Sequence, residues 1–434
     1  MFETLKNAFK VKELRKKIFI TLALILVYRI GCFIPVPGID GEVLKNNLSG
    51  YTFFGVMSAI TGGSLSNGTL FAMGIGPYIN ASIIIQLLTV AIPSLESMSK
   101  QGEEGRKKLA KITRYTALVL AIGQALGILL NFGDNGAINF GVFGDTKGTR
   151  WLTYLYMTIV YTAGASLTMW IGERITDYGV SNGISMLIFV GILSTAGTAI
   201  LNQIILIPSN STAIWTLIAF LLVVIVIFFC IVYVDMAERR VPVQYAKQIK
   251  GRKMYGGQNT VIPIRINANG VMPLIFAFSI LSFPDLIMSM FWPNSSARIW
   301  WQGHMGVGTV WYSIVLALLI LGFAYFYAAI QFNPDDISKS IQQNGGFIPG
   351  IRPGKPTAEH LRRINNRITL FGAIFLAILA LVPTLIFTAV AGTGSSLINA
   401  FSATGMLIIV SVALEFDKQL QSQIMMKNYK GFLK

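Results

Sequence analysis

Stretches of some 20 residues without an interior charge recur along the chain, each bounded by charge, proline or glycine. An α-helix needs about 20 apolar residues to cross roughly 30 Å of hydrocarbon, because in lipid every backbone polar group must be satisfied within the helix. About ten such spans are expected, at 18–37, 70–92, 113–131, 151–171, 183–205, 213–234, 271–291, 309–331, 368–390 and 400–415. One apolar piece does not fit. FGVMSAITGGSLSNGTLF (54–71) stops at Gly62-Gly63 after barely two turns and continues as a polar Ser/Asn/Gly turn, so it is too short to cross.

Composition agrees with the pattern. The chain is 53% hydrophobic and 12% charged, with a mean hydropathy of +0.62, which excludes an ordinary soluble domain and predicts an all-α polytopic membrane protein. Basic residues resist transfer and stay on the cytoplasmic side. Of the 35 Lys and Arg, only Lys45, Lys147, Arg150 and Arg298 fall on one side of the predicted spans, and Arg29 lies within the first. The rest lie on the other side, which predicts an even number of crossings with both termini cytoplasmic. The net charge of +16 is then concentrated on one face, suited to acidic lipid, nucleic acid or an acidic protein. The opening MFETLKNAFKVKELRKK has no cleavage-site pattern and is expected to lie as a basic amphipathic segment on the membrane surface.

Several chemistries are poorly supported. Coupled transporters carry acids, bases or histidines within their spans, whereas here, apart from Arg114 and Glu415 at span ends, the spans hold only Arg29 and, near an outer end, Asp285. There is no H-E-x-x-H, no Walker loop and no G-x-G-x-x-G followed by an acidic residue, so neither catalysis nor a cofactor or metal is indicated. His304 and His360 read as loop histidines, and Cys32 and Cys230 as packing residues.

The spans are rich instead in Gly, Ser and Thr, as in TAGASLTMWIG (162–172) and VSNGISMLIFVGILSTAGTAI (180–200), a pattern that lets helices pack closely in lipid. Isoleucines stand beside helix interruptions: Ile75 and Ile79 around Pro77, Ile184 and Ile188 after Gly183, Ile275 after Pro273. A ring of branched apolar side chains closes a pore by contact and by dewetting. Of two long cytoplasmic loops, the first, about 235–268, alternates on both sides of GRKMYGG and reads as a β-hairpin with Arg252 and Lys253 near its tip. The second, about 333–367, reads as a short amphipathic helix followed by GGFIPGIRPG, in which Pro349 and Pro353 bracket Arg352 on a stiff turn.

The segments YRIGCFIPVPGID (28–40), GIGPYINASIIIQLLTV (74–90), KQGEEGRKKLAKITRYTALVLA (100–121), MWIGERITDYGVSNGIS (169–185), QYAKQIKGRKMYGGQNTVIPIRIN (244–267), NGGFIPGIRPGKPTAEHL (344–361) and VALE (412–415) together resemble the SecY family, the central pore subunit of the bacterial Sec protein-conducting channel. The resemblance covers nearly the whole chain. It implies two inverted, pseudo-symmetric halves, 1–205 with spans one to five and 206–434 with spans six to ten, around a pore that opens to water and sideways to lipid. It also gives 54–71 a role, since its family counterpart is a short plug helix over about 54–68, here with Val56, Met57, Ile60 and Leu65.

Carried over by position, the pore ring is Ile75, Ile79, Ile184, Ile188, Ile275 and Ile408. Gln86 falls near the lateral gate, between spans two and three on one side and seven and eight on the other, and Arg252, Lys253 and Arg352 are implied to dock the SecA motor or the ribosome, including its rRNA. Implied partners are SecE, SecG, SecA, the ribosome, signal peptides and preproteins, with acidic phospholipids at the basic face. The chain departs from the family where its last span opens with FSATGMLI (401–408) in place of Gly-Gly-Thr-Ser, so Ile408 rests on the weakest match of the six. A secondary transporter, or a membrane scaffold without a pore, is the competing expectation. The first would show a buried charge pair at the midplane.

Overall fold

The computed structural model describes residues 2–48, 57–132, 136–140, 150–208, 212–245, 248–250, 253–255, 259–267, 270, 272–291, 295–306, 309–391 and 403–431. Helices dominate: α1 (Phe2–Lys10), α2 (Lys12–Gly31), α3 (Gly41–Leu48), α4 (Gly76–Ala91), α5 (Pro93–Lys100), α6 (Glu103–Phe132), α7 (Arg150–Tyr178), α8 (Gly183–Leu206) and α9 (Thr212–Met236) precede a block of strands. Then come α10 (Met272–Phe291), α11 (Ser296–Met305), α12 (Val310–Gln331), α13 (Pro334–Gln343), α14 (Lys355–Ala391) and α15 (Ala403–Gly431).

Each predicted span falls on a helix, with revised ends. Among the described residues, five helices are long and apolar enough to cross a membrane, and α4 with α5 makes a sixth candidate bent by 101°. The bend sits at Pro93, whose ring cannot continue α4 and instead starts α5. The first span is shifted from the expected 18–37. Its helix begins at Lys12 and ends at Gly31, because Pro35 and Pro37 forbid further helix, and Pro35 instead bridges to Thr69. Large apolar side chains such as Phe229, Ile225 and Leu222 on α9 stay exposed, as lipid-facing residues do.

The chain divides into two compact units. One comprises 1–220, 282–307 and 387–434. In it α4 packs on α6, α6 on α7, α7 on α8, and α8 on α15. Close approach is made possible by missing side chains: a Cβ at Gly164 would lie 1.9 Å from the Leu70 carbonyl, and one at Gly183 would lie 1.9 Å from the Gly172 carbonyl. A core of Val36, Leu44, Leu65, Ala72 and Met73 is filled from α6 by Ala125 and Leu129 and from α7 by Met157 and Tyr161. The amphipathic N-terminal helix is tied to protein and not only to a membrane surface. Its Leu5 and Ala8 join Leu14 and Ile18 against Phe416, Leu420 and Ile424 of α15.

The other unit comprises 221–281 and 308–386. The hairpin is present: β1 (Glu238–Tyr245) pairs antiparallel with β4 (Asn259–Arg265) from Glu238↔Arg265 to Gln244↔Asn259, and β2 (Gln248–Lys250) with β3 (Lys253–Tyr255). A third strand, β5 (Gly346–Phe347), adds to the free edge of β1. Alternation along β1 turns Val241 and Val243 inward, where they meet Ile264, Ile341 and Ile348, and Leu361 of α14 completes the cluster. Asn267 closes the hairpin base by donating to the Asp235 carboxylate at 3.1 Å.

Candidate functional site

Two regions carry the candidate residues. The first lies in the unit that contains the N-terminus. Residues 57–60 are helical, and the helix stops at Gly62 and Gly63, both with positive φ (69° and 85°), a conformation that costs glycine little. Beyond them the chain is a hydrogen-bonded turn system. The Ser66 hydroxyl donates to the Gly63 carbonyl at 2.9 Å, that of Thr69 to Ser64 at 3.2 Å, and that of Ser58 to Ser66 Oγ at 3.1 Å. Leu65 is a core residue, whereas Met57 and Ile60 are half-buried. The part after Gly63 is thus tied into the core of its unit. Val56 lies outside the described residues.

This segment rests on the two helices that carry four of the six isoleucines. The Met57 methyl occupies the space that a Cβ on Gly76 would need, one residue from Ile75 at the start of α4. On α8, the Ile60 carbonyl sits over Gly191, so close that a Cβ there would lie 2.0 Å from the oxygen. Gly191 is three positions along α8 from Ile188. Ile75 and Ile188 are buried, and Ile79 and Ile184 are half-buried. Ile408 is buried on α15, which packs against α8, while half-buried Ile275 belongs to the other unit.

The structure adds residues that the sequence did not single out for this place. The Arg29 guanidinium donates through Nη2 to the Ser194 hydroxyl, lies 5.5 Å from the Phe33 ring, and abuts Gly62. The Thr195 hydroxyl donates to the Ala59 carbonyl at 3.0 Å. The lone charge in the first span was the one available signal, since Gly191, Ser194 and Thr195 look like ordinary small packing residues. Among the described residues none of the partners of Arg29 is a carboxylate, so no charge pair of the kind a transporter site needs is seen there.

Gln86, on α4, donates through Nε2 to Ser82 Oγ at 3.3 Å, and among the described residues its buried Oε1 has no hydrogen-bond partner. An amide left half-satisfied within a span is costly unless another chain completes it.

The second region is the strand hairpin and the turn that carries Arg352. Lys250↔Lys253 is the last described pair at the hairpin tip, while Arg252 and the Lys253 side chain lie outside the described positions. Arg352 is exposed on a turn between Gly350 (φ 80°) and Gly354 (φ 94°). Its carbonyl accepts the Thr357 hydroxyl at 2.8 Å, and the Gly354 carbonyl accepts that of Ser338 at 2.7 Å. The turn is held by these bonds as well as by its prolines, and Arg352 is presented to water. Among the described residues no cluster of His, Cys, Asp or Glu has metal-binding geometry.

The SecY family model matches residues 69–416. The protein translocase subunit SecY of Streptomyces galbus is 41% identical over 445 residues, covering 100% of both chains. Among solved structures, one described as the structure of a protein conducting channel aligns over 94% of this chain and 92% of its own, with a TM-score of 0.66 and 20% identity. Sec61 in the canine ribosome-channel complex from the endoplasmic reticulum aligns over the same shares with a TM-score of 0.61 and 20% identity. Identity over the full length, together with a plug-like segment seated on isoleucine-bearing helices, establishes that the chain belongs to the SecY family.

Proposed function

We propose that the chain is the pore subunit of a protein-conducting channel, passing unfolded secretory polypeptides across the cytoplasmic membrane of a bacterium and releasing apolar segments sideways into lipid. One observation carries this reading. A segment that stops at Gly62 and Gly63 is seated through Met57 and Ile60 on Gly76 and Gly191, beside Ile75 and Ile188. In this reading the halves are 1–205 and 206–434, and Ile75, Ile79, Ile184, Ile188, Ile275 and Ile408 form the constriction. Met57 and Ile60 plug it from outside, with Leu65 as their anchor in the core. A pore wide enough for a peptide must hold back ions at rest, and apolar side chains do so because they offer no oxygen to replace an ion's water. Gln86 lines the sideways exit, where its unpaired oxygen takes a hydrogen bond from a passing segment.

No nucleotide motif is present, so the energy comes from a partner. Arg352, Arg252 and Lys253 dock the SecA motor or the ribosome, whose RNA phosphates complement the basic tip. Both termini face the cytoplasm, SecE and SecG complete the assembly, and acidic phospholipids are held by the basic face. Co-reconstitution with SecE and SecA in vesicles, followed by protease digestion of an added preprotein, tests the proposal. ATP-dependent protection of full-length preprotein is expected. Equal protection in vesicles that lack this chain would overturn it.

A further inference from the structure

Arg29 is a cation in the last turn of a predicted membrane span, and among the described residues no acid is its partner. Such a group is retained only where its surroundings compensate it. Three elements meet there. From α2, Nη2 reaches the Ser194 hydroxyl and the guanidinium lies on the face of Phe33. Its other arm, Nη1, is buried, makes no hydrogen bond among the described residues, and points at Gly62, where a Cβ would lie 2.4 Å from it. From α8, Gly191 also approaches Gly62 and Ile60, its Cα 3.3 Å from the same Cβ position. One turn further along, Thr195 donates to Ala59. The final carbonyls of the plug turn are thus met by a hydroxyl, with a positive charge beside the turn, an arrangement that favours a helix C-terminus.

The geometry points to a seat in which Arg29, Ser194 and Thr195 hold the hinge of the plug segment closed, while Gly62 and Gly191 supply the clearance that lets the backbone enter. This rests on the reading of 54–68 as a plug. The three polar residues act as positioning residues: they do not line the constriction, and they set how readily the plug leaves it. Weakening the seat lowers the barrier to opening in the absence of any translocating chain. Any side chain on Gly62 would meet the guanidinium and be strained by its positive φ, so that position is coupled to Arg29.

The test reads plug release directly. With Cys32 and Cys230 replaced by serine, a Met57→Cys reporter in the SecE-bound channel is labelled by a membrane-impermeant maleimide. Arg29→Met and Thr195→Val are each expected to speed labelling about five- to tenfold, the effect of losing one hydrogen bond or its charge-assisted equivalent. Both are expected to produce flickering single-channel current. Thr195→Ser keeps the hydroxyl and is expected to restore the parental rate, which decides the matter even where Arg29→Met fails to fold. If deletion of 57–60 causes leak while folded Arg29→Met and Thr195→Val label at the parental rate and stay silent, the seat is refuted and the plug reading stands. If the deletion itself stays silent, the plug reading fails and takes the seat with it.

Discussion

The Ser338 hydroxyl donates to the Gly354 carbonyl at 2.7 Å, fastening α13 to the turn that carries Arg352. Ser338 and Thr357 are buried beneath the turn, so Arg352 is held up to solvent by satisfied hydrogen bonds. Arg352→Glu is therefore expected to leave folding and insertion intact and to cut motor-driven preprotein import by about tenfold or more, since reversal replaces attraction with repulsion at a docked contact. Ser338→Ala loosens the turn without changing charge and is expected to have a smaller effect in the same direction. Import at parental rates into vesicles bearing Arg352→Glu would remove the turn from the docking surface.

Leu361 joins α14 to the hairpin and is fully buried. Leu361→Ala is expected to cost about 2–5 kcal/mol within that module. Because the cluster lies outside the spans, the consequence is local: trypsin added to inverted vesicles is expected to cut within 235–268 faster than in the parent. Val261→Thr, on an exposed face of β4, serves as the control with little effect. Unchanged cleavage in Leu361→Ala would mean that the cluster does not hold the hairpin.

Ribosome binding through the hairpin tip is expected to weaken as salt rises, because phosphate contacts release counterions. Each of Arg252→Ala and Lys253→Ala is expected to lower the slope of log affinity against log salt by about one. Titrations at several ionic strengths measure it. A slope untouched by both changes would place the contact elsewhere.

The parts of this fold that were legible in the sequence are those with long, regular signals. Spans show as runs without charge, and the alternation in VPVQY and NTVIPIR marks the paired edges of the hairpin. Span ends were less legible. Basic residues at Lys12 to Lys17 start α2 early because a helix end in the headgroup region bears charge at little cost, and Pro35 and Pro37 end it early. Strand β5 is only two residues long, too short for any period, and is defined by its partner β1. At the plug, Gly62-Gly63 announced the stop. The seat was hidden because Ser194 and Thr195 lie 165 and 136 positions from their partners Arg29 and Ala59.

Two glycines in the same unit separate backbone crowding from side-chain crowding. A Cβ on Gly164 would meet the Leu70 carbonyl, part of a hydrogen-bonded turn that cannot yield, whereas one on Gly76 would meet only the Met57 methyl, the end of a flexible side chain. Gly164→Ala is expected to cost about 1–3 kcal/mol and lower the thermal midpoint of the detergent-solubilised complex. Gly76→Ala is expected to leave that midpoint near the parental value, because the Met57 methyl can swing aside. Equal midpoints for the two variants would show that α7 has room the structure does not display.

The constriction gives the sharpest separation between a seal and a packing role. Ile75 caps the start of α4 and is almost fully buried, so a polar group there disturbs folding whatever the pore requires. Ile79 and Ile184 are half-buried on the same two helices, leaving part of each side chain free to face a lumen. Ile79→Asn and Ile184→Asn are therefore expected to fold, to bring water into the closed constriction, and to let ions through at rest. Ile79→Leu and Ile184→Val keep the apolar bulk and are expected to stay tight, since dewetting depends on the absence of polar partners more than on one side-chain shape. The measurement is single-channel current across a planar bilayer with no translocating chain present. Should the asparagine variants remain silent while still importing preprotein at the parental rate, these isoleucines do not form the seal, and the plug segment on Gly191 must carry it alone.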